Sequence, residues 1–340
     1  HLIGSPLALA LEAYCEMAWT KFQDIPALGA KEISHVQGSV MKIDMVNKIA
    51  KIANPRAGEE FEDSYDYLVV SSGLRRAWPV VLQSREKIFY LSEASGDIIA
   101  VTQARERVVV VGGGAVGIAM AAELKVAVPT QKVILTHSGE KLLSSEPLPD
   151  DSNDRALEVL KESGVEVIVG QRVMKTKPLR SGDGIPLFEL TLSNESHVKA
   201  GHVIVAISRS IPTSTYLPQE ALDPDGLVKV NSKYAPPIAV HRRSSNATQH
   251  FAVGDVVLWS GIKRCGAAMF AGHNAAVNIH QQILEKQIGK SPEVVELRPE
   301  NKPMIALAVG KSAVIYSYDE ENGTRFGEDL MKDTSATIWD

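Results

Sequence analysis

The chain has 340 residues and a mass of 36.8 kDa, more than one hydrophobic core fills, so about two domains are expected. Its 44% apolar and 23% charged residues exclude disordered and fibrous classes, and a net charge of −5 without any basic stretch excludes a nucleic-acid partner. Cys15 and Cys265 are the only cysteines, and with no CxxC, CxxxxC or HExxH pattern a disulfide framework, a redox-active dithiol and a structural zinc site are all excluded. No apolar run approaches the roughly 20 residues of a membrane span, and no signal-type segment leads the chain, so the cytoplasm is the expected compartment.

Taken in chain order, Leu11, Tyr14, Cys15, Ala18, Trp19 and Phe22 follow a spacing of three to four and predict an amphipathic helix. The β-branched pieces between Val36 and Ile52 predict a hairpin or meander closed by Asn54-Pro55, and the carboxylates from Glu59 to Asp66 predict a solvated loop. Tyr67 to Val70 reads as a buried strand running into the turn Ser71-Ser72-Gly73, followed by an irregular charged connection to about residue 105. The next block alternates: strand Val108 to Val111, helix Ile118 to Lys125, strand Val133 to Thr136, helix Asp154 to Ser163, strand Val165 to Val169, a polar meander, and strand Val203 to Ile207. That alternation predicts a βαβ nucleotide-binding domain on a parallel sheet. Further on, a strand ends in Phe251-Ala-Val-Gly-Asp255, Gly266 to Lys286 reads as one long helix, and Ile305/Leu307 with Val314/Tyr316 flank Gly310-Lys311 as a hairpin.

A GxGxxG pattern carries weight only in context. Here Gly112, Gly114 and Gly117 leave a four-valine strand and open an alanine-rich helix. Gly112 permits the tight turn, Gly114 lets backbone approach a pyrophosphate, and Gly117 lets helix pack closely on strand, while the helix N-terminus offers N–H groups to the anion. The second strand ends Thr136-His137-Ser138 with Lys141 nearby and no carboxylate before Glu140, which points to NADP, to a site that does not discriminate, or to an unused loop end.

Tyr65 to Gly73, Val108 to Leu124 and Phe251 to Asp255, in that order, resemble the two-dinucleotide-binding flavoproteins, and more narrowly the apoptosis-inducing-factor-like, ferroptosis-suppressor-type NAD(P)H:quinone oxidoreductases. Lys302 to Gly310 is similar to the C-terminal segment of the same group. The resemblance implies an α/β, Rossmann-like, three-layer fold. Residues 1–105 and 231–290 would form the two parts of an FAD-type domain, 106–230 an NAD(P)-binding domain and 291–340 a small C-terminal α+β subdomain. It further implies FAD closed on by Gly254 and Asp255, with Gly73 passing close to the flavin nucleotide, and NADH or NADPH on Gly112, Gly114 and Gly117. A small-molecule substrate and a homodimer are the partners implied; the catalytic residues are left unassigned.

The departures from that pattern concern one region. Such proteins open with their own strand, GxGxxG turn and helix for the FAD pyrophosphate, and Ser5-Pro6 corresponds to a segment beyond that unit. Ala119 stands where a glutamate is usual, and Ser208 where a Thr-Gly turn is usual. Either a longer protein supplies the unit and FAD binds normally, or the unit is absent and a partner or swapped strand covers the first domain. Three functions follow in order: an oxidoreductase passing hydride from NAD(P)H through FAD to a quinone-like or small organic acceptor, a redox-inactive derivative catalysing isomerisation or cyclisation, and an NAD(P)H-sensing module. His273, His280, the Cys265 thiol, Trp78 and Trp259 are weaker candidates, for which solvation or packing is the expected role.

Overall fold

The structure is a computed structural model describing residues 9–54, 58–75, 84, 86–180, 184–207, 211–233, 249–258, 265–296, 303–318 and 323–332. In chain order, helix α1 (Glu12–Met17) precedes an antiparallel meander of β1 (Ser39–Asp44), β2 (Ile49–Ala53) and β3 (Glu60–Ser64). β4 (Leu68–Val70) and β5 (Leu74–Arg75) follow, then helix α2 (Lys87–Thr102). Next come β6 (Val108–Val111), α3 (Ala115–Ala127), β7 (Val133–Thr136), α4 (Asp150–Glu162) and β8 (Glu166–Ile168). β9 (Val173–Leu179), β10 (Leu187–Leu192), β11 (His197–Ala200) and β12 (His202–Val205) end that block. β13 (Ile211–Pro212), β14 (His250–Ala252), helix α5 (Cys265–Ile288) and the hairpin-plus-one sheet β15 (Met304–Val309), β16 (Ser312–Ser317) and β17 (Thr324–Gly327) complete the chain.

The chain divides into two compact units, one built from His1–Lys21, Arg76–Arg209 and Pro303–Asp340, the other from Phe22–Arg75 and Ser210–Lys302. In the first, the parallel sheet runs β12-β6-β7-β8. Strand alternation decides its two faces. Val108, Val110, Val133 and Leu135 join Tyr90 and Val101 of α2, Ile118 and Leu124 of α3 and Leu160 of α4 in the larger core. Val109, Val111 and Ile134 point the other way, onto Leu190 and Ala200 of the antiparallel β11-β10-β9 sheet. The result is three layers, with helices, a parallel sheet and an antiparallel sheet in order. Ile305, Leu307, Val309 and Val314 of the C-terminal sheet join the helix-side core.

Leu135 is fully buried at the centre of this unit. Its replacement by alanine is expected to cost about 2–5 kcal/mol through lost burial and a residual cavity, measured as a shift in the denaturant midpoint at constant slope.

Three readings of the sequence are corrected here. The connection before residue 105 contains α2, a helix of 16 residues whose Tyr90, Ala94, Asp97 and Val101 form the buried stripe. The carboxylates from Glu59 to Asp66 are not a loop: β3 is an exposed edge strand, with Glu60 opposite Ala53 and Glu62 opposite Lys51. Lys51 and Glu60 pair at 2.5 Å, and such charge on an edge strand discourages pairing with other chains. The first helix is also shorter than its spacing predicts, ending at Met17.

In the second unit β4 pairs with β14 in parallel, and β5 with β13 antiparallel. Phe251 and Val253 pack beneath Ala275 of α5, while Ile43, Val70, Val228 and Val256 form a separate core. Among the described residues no helix is long and apolar enough to cross a membrane.

Candidate functional site

The β6-to-α3 turn is built by backbone approach. The Gly112 N–H donates to the Thr136 carbonyl at 2.8 Å, and Gly112 holds φ at +120°, a conformation that favours glycine. A Cβ on Gly117 would lie 1.9 Å from the Gly112 oxygen, so the helix sits as close to its strand as glycine allows. Gly114 is the N-cap of α3 and no side chain caps that end; a Cβ built on it meets nothing within 4 Å. The first-turn N–H groups therefore face a space that admits an anion, with the positive end of the helix dipole behind them. The geometry fits a dinucleotide pyrophosphate, and the three glycines singled out in the sequence meet there.

Gly73, Gly254 and Asp255 belong to the other unit. Val70 and Ala252 are register partners of the parallel β4–β14 pair, and the Val253 N–H donates to the Val70 carbonyl at 2.9 Å. Gly73 (φ +66°) and Gly254 (φ +77°) thus follow the C-terminal ends of neighbouring parallel strands, where open α/β sheets bind ligands. Asp255 is half-buried in the single 3-10 turn Gly254–Val256. The turn before Gly73 is pinned in ways the sequence did not disclose. The Thr213 N–H donates to the Gly73 carbonyl at 3.0 Å, the Ser72 hydroxyl donates to the Thr213 carbonyl, and the Tyr216 hydroxyl donates to Ser72 Oγ at 2.7 Å. These partners lie about 140 residues apart in the chain, beyond any local pattern. The two positive-φ glycines and the adjacent carboxylate fit the ribityl side of a flavin nucleotide; among the described residues this unit holds no second glycine turn of the Gly112–Gly117 kind.

The remaining candidates disperse. Ala119 is half-buried on α3, His273 and His280 are exposed on α5, and the exposed Cys265 thiol contacts Met269 Sδ at 3.7 Å. Trp78, Ser208 and Trp259 lie outside the described residues. At the end of β7, His137 turns inward onto the glycine turn, while Lys141 pairs with Asp150 at 3.0 Å. On α3, burial pushes the Glu123 carboxyl up to about 7. At the opposite end of the parallel sheet, His202 Nε2 lies 3.8 Å from Asp97 Oδ1. Asp97 is buried and His202 half-buried, and Asp97 Oδ2 and His202 Nε2 make no hydrogen bond among the described residues. Burial raises Asp97 to about 6 and lowers His202.

A parallel sheet with a glycine turn opening a helix, and a second pair of parallel strands ending in glycines, define a protein with two dinucleotide-type units. The family model of the pyridine nucleotide-disulphide oxidoreductases matches residues 10–272, and the chain belongs to that family, whose members use FAD and NAD(P)H. The chain is similar to Oxidoreductase OXR1 of Ajellomyces capsulatus, 48% identical over 333 residues, which are 98% of this chain and 70% of that one. Ferroptosis suppressor protein 1 of Homo sapiens is 25% identical over 254 residues, covering 74% of this chain and 64% of its own length. An NAD-dependent persulfide reductase from A. fulgidus shares the fold at a TM-score of 0.66 and 21% identity, over 95% of this chain and 57% of its own.

Proposed function

We propose that the protein is an NAD(P)H-dependent flavoprotein oxidoreductase that delivers hydride to a quinone-like or other small organic acceptor. The observation that carries this reading is the presence in one chain of two ligand-ready sites, one in each unit: the Gly112–Gly117 turn on α3, and the Gly73 and Gly254-Asp255 ends of β4 and β14. In this reading the first-turn amides of α3 bind the nicotinamide nucleotide's pyrophosphate, Gly114 admits it, and Gly112 and Gly117 hold the turn. Asp255 accepts a hydrogen bond from the ribityl chain of the flavin, and Gly73, fixed by Ser72, Thr213 and Tyr216, lets the backbone pass close to it. FAD, when bound, supplies the hydride relay, and the protein supplies orientation.

The test is the absorbance of the purified native protein between about 350 and 500 nm, with NADH and NADPH oxidation followed in the presence of a quinone. Flavin bands and quinone-dependent oxidation are expected. Asp255→Ala is expected to lower retained flavin at least tenfold, as loss of a charge-assisted hydrogen bond of about 1.5–3 kcal/mol requires. A protein without flavin that turns over no nicotinamide nucleotide when FAD is added would overturn the reading and leave the non-redox one.

A further inference from the structure

Gly113 occupies a position that the glycine pattern leaves free, yet a Cβ there would lie 2.6 Å from Leu142 Cδ2 and 2.8 Å from His137 Cγ. What crowds it is the segment that follows β7. The Gly113 N–H donates to His137 Nδ1 at 3.2 Å, and the Leu143 N–H donates to the Gly113 carbonyl at 2.9 Å. Leu143 is fully buried and holds φ at +57°, a left-handed conformation that a branched residue adopts only when its surroundings impose it. Both polar groups of Gly113, and the side on which its Cβ would stand, are thus committed to residues 137–143.

The hydrogen bonds fix the tautomer of His137. Because Nδ1 accepts from Gly113, its proton sits on Nε2, which donates to Ser144 Oγ at 3.0 Å. An imidazolium has no acceptor, so its Nδ1–H would meet the Gly113 N–H head-on. We propose that His137, in its neutral form, is a positioning residue that clamps the Gly112–Gly117 turn in its nucleotide-binding shape, and that protonation of His137 releases the clamp and weakens NAD(P)H binding. The inference rests on the assignment of that turn to NAD(P)H.

The surroundings favour the neutral ring. Burial lowers the His137 pKa below its ordinary 6.5, opposed in part by a hydrogen bond to the Lys141 backbone. The charged side chains of its own segment are Glu140, which lies against Gly170, and Lys141, paired with Asp150 of α4. The ring itself meets the Gly113 N–H, the Ser144 hydroxyl and the Lys141 backbone, none of them charged, while the Gln171 N–H donates to the His137 backbone carbonyl. The clamp is therefore closed at neutral pH and opens on acidification through a value below 6.5.

The experiment measures equilibrium dissociation constants of NAD⁺ and NADP⁺ for the native protein, His137→Asn and His137→Ala from about pH 8 to about pH 5, each compared with wild type so that the ligand's own titration cancels. Asn keeps an acceptor near the Nδ1 position without titrating. Wild-type affinity is expected to be flat above neutrality and to weaken at least threefold toward about pH 5. The Asn variant should match wild type at the alkaline end and lose this slope, and the Ala variant should bind about three- to tenfold more weakly throughout. The imidazole ¹⁵N shifts of wild type should report an unprotonated Nδ1 at about pH 8. An Asn variant retaining the slope, an Ala variant binding like wild type, or a protonated Nδ1 at about pH 8 would each overturn the clamp. Should the Ala variant not fold, the Asn variant and the ¹⁵N shifts decide alone. A wild type that binds neither nucleotide at any pH overturns the assignment of the turn to NAD(P)H instead.

Discussion

Gly117→Ala is expected to destabilise the parallel-sheet unit by about 3 kcal/mol or more and to remove NAD(P)H binding altogether. The added methyl would sit 1.9 Å from the Gly112 oxygen and 3.3 Å from Ala206 Cβ. Both obstacles are backbone or backbone-proximal, so α3 must lift off β6, which opens the buried contacts of Ile118 and Ala121 with it. Gly114→Ala is the control. Its methyl meets nothing within 4 Å and its φ of −78° suits any residue, so the melting temperature should hardly move. The methyl nonetheless enters the space in front of the first-turn amides, and nucleotide affinity should fall at least tenfold, or about 1.4 kcal/mol. Thermal melts and isothermal titration of both variants check the pair. A Gly117→Ala protein that melts and binds like wild type would show that the helix has room the structure does not contain.

Asp97→Asn is expected to stabilise the protein. The wild-type carboxyl is 5% exposed, and burial raises it from 3.8 to about 6. The sign follows from proton uptake. Between those two values the folded chain keeps a proton that the unfolded chain has lost, so wild-type stability falls as pH rises through this window and stays low above it. A carboxyl titrating near 6 rather than near 4 corresponds to about 3 kcal/mol. The asparagine carries no charge and can hydrogen-bond His202, whose Nε2 makes no hydrogen bond among the described residues of the wild type. The variant should exceed wild type by up to about 3 kcal/mol at about pH 8 and converge with it near about pH 4, as read from urea denaturation at each pH. His202, lowered by burial, contributes stability that is lost as pH falls below its ordinary 6.5, so the stabilisation by asparagine is read at about pH 8, above that value.

What the sequence disclosed follows from how local each signal is. The strand Val108–Val111, its glycine turn and α3 were legible because fully apolar runs, glycine spacing and helix formers sit side by side in the chain. The hairpins at Gly310 and in the β1–β2 meander announced themselves by alternation. Helix α2 was hidden because Gly96 and Asp97 fall inside it, and its buried stripe mixes a tyrosine, an alanine, a carboxylate and a valine. Strand β3 was hidden because an exposed edge carries charge on both faces. At the candidate site, the glycines Gly73, Gly112, Gly114, Gly117 and Gly254 were visible by type and spacing: positive φ selects glycine at Gly73, Gly112 and Gly254, and close approach to the Gly112 oxygen selects it at Gly117. The side chains that hold them were not: Ser72 with Thr213 and Tyr216, and His137 with Gly113 and Ser144, depend on contacts that only the folded chain creates.

The C-terminal sheet lends Ile305, Leu307 and Val309 to the core that contains Ile118 and Met120 of α3. On the ribosome those two groups are born far apart. At about 5–20 residues per second, the stretch between Ala127 and Met304 takes roughly 10 to 35 seconds to emerge. For that interval the nascent parallel-sheet unit carries an uncovered apolar flank, within reach of a chaperone or of a neighbouring nascent chain on the same message.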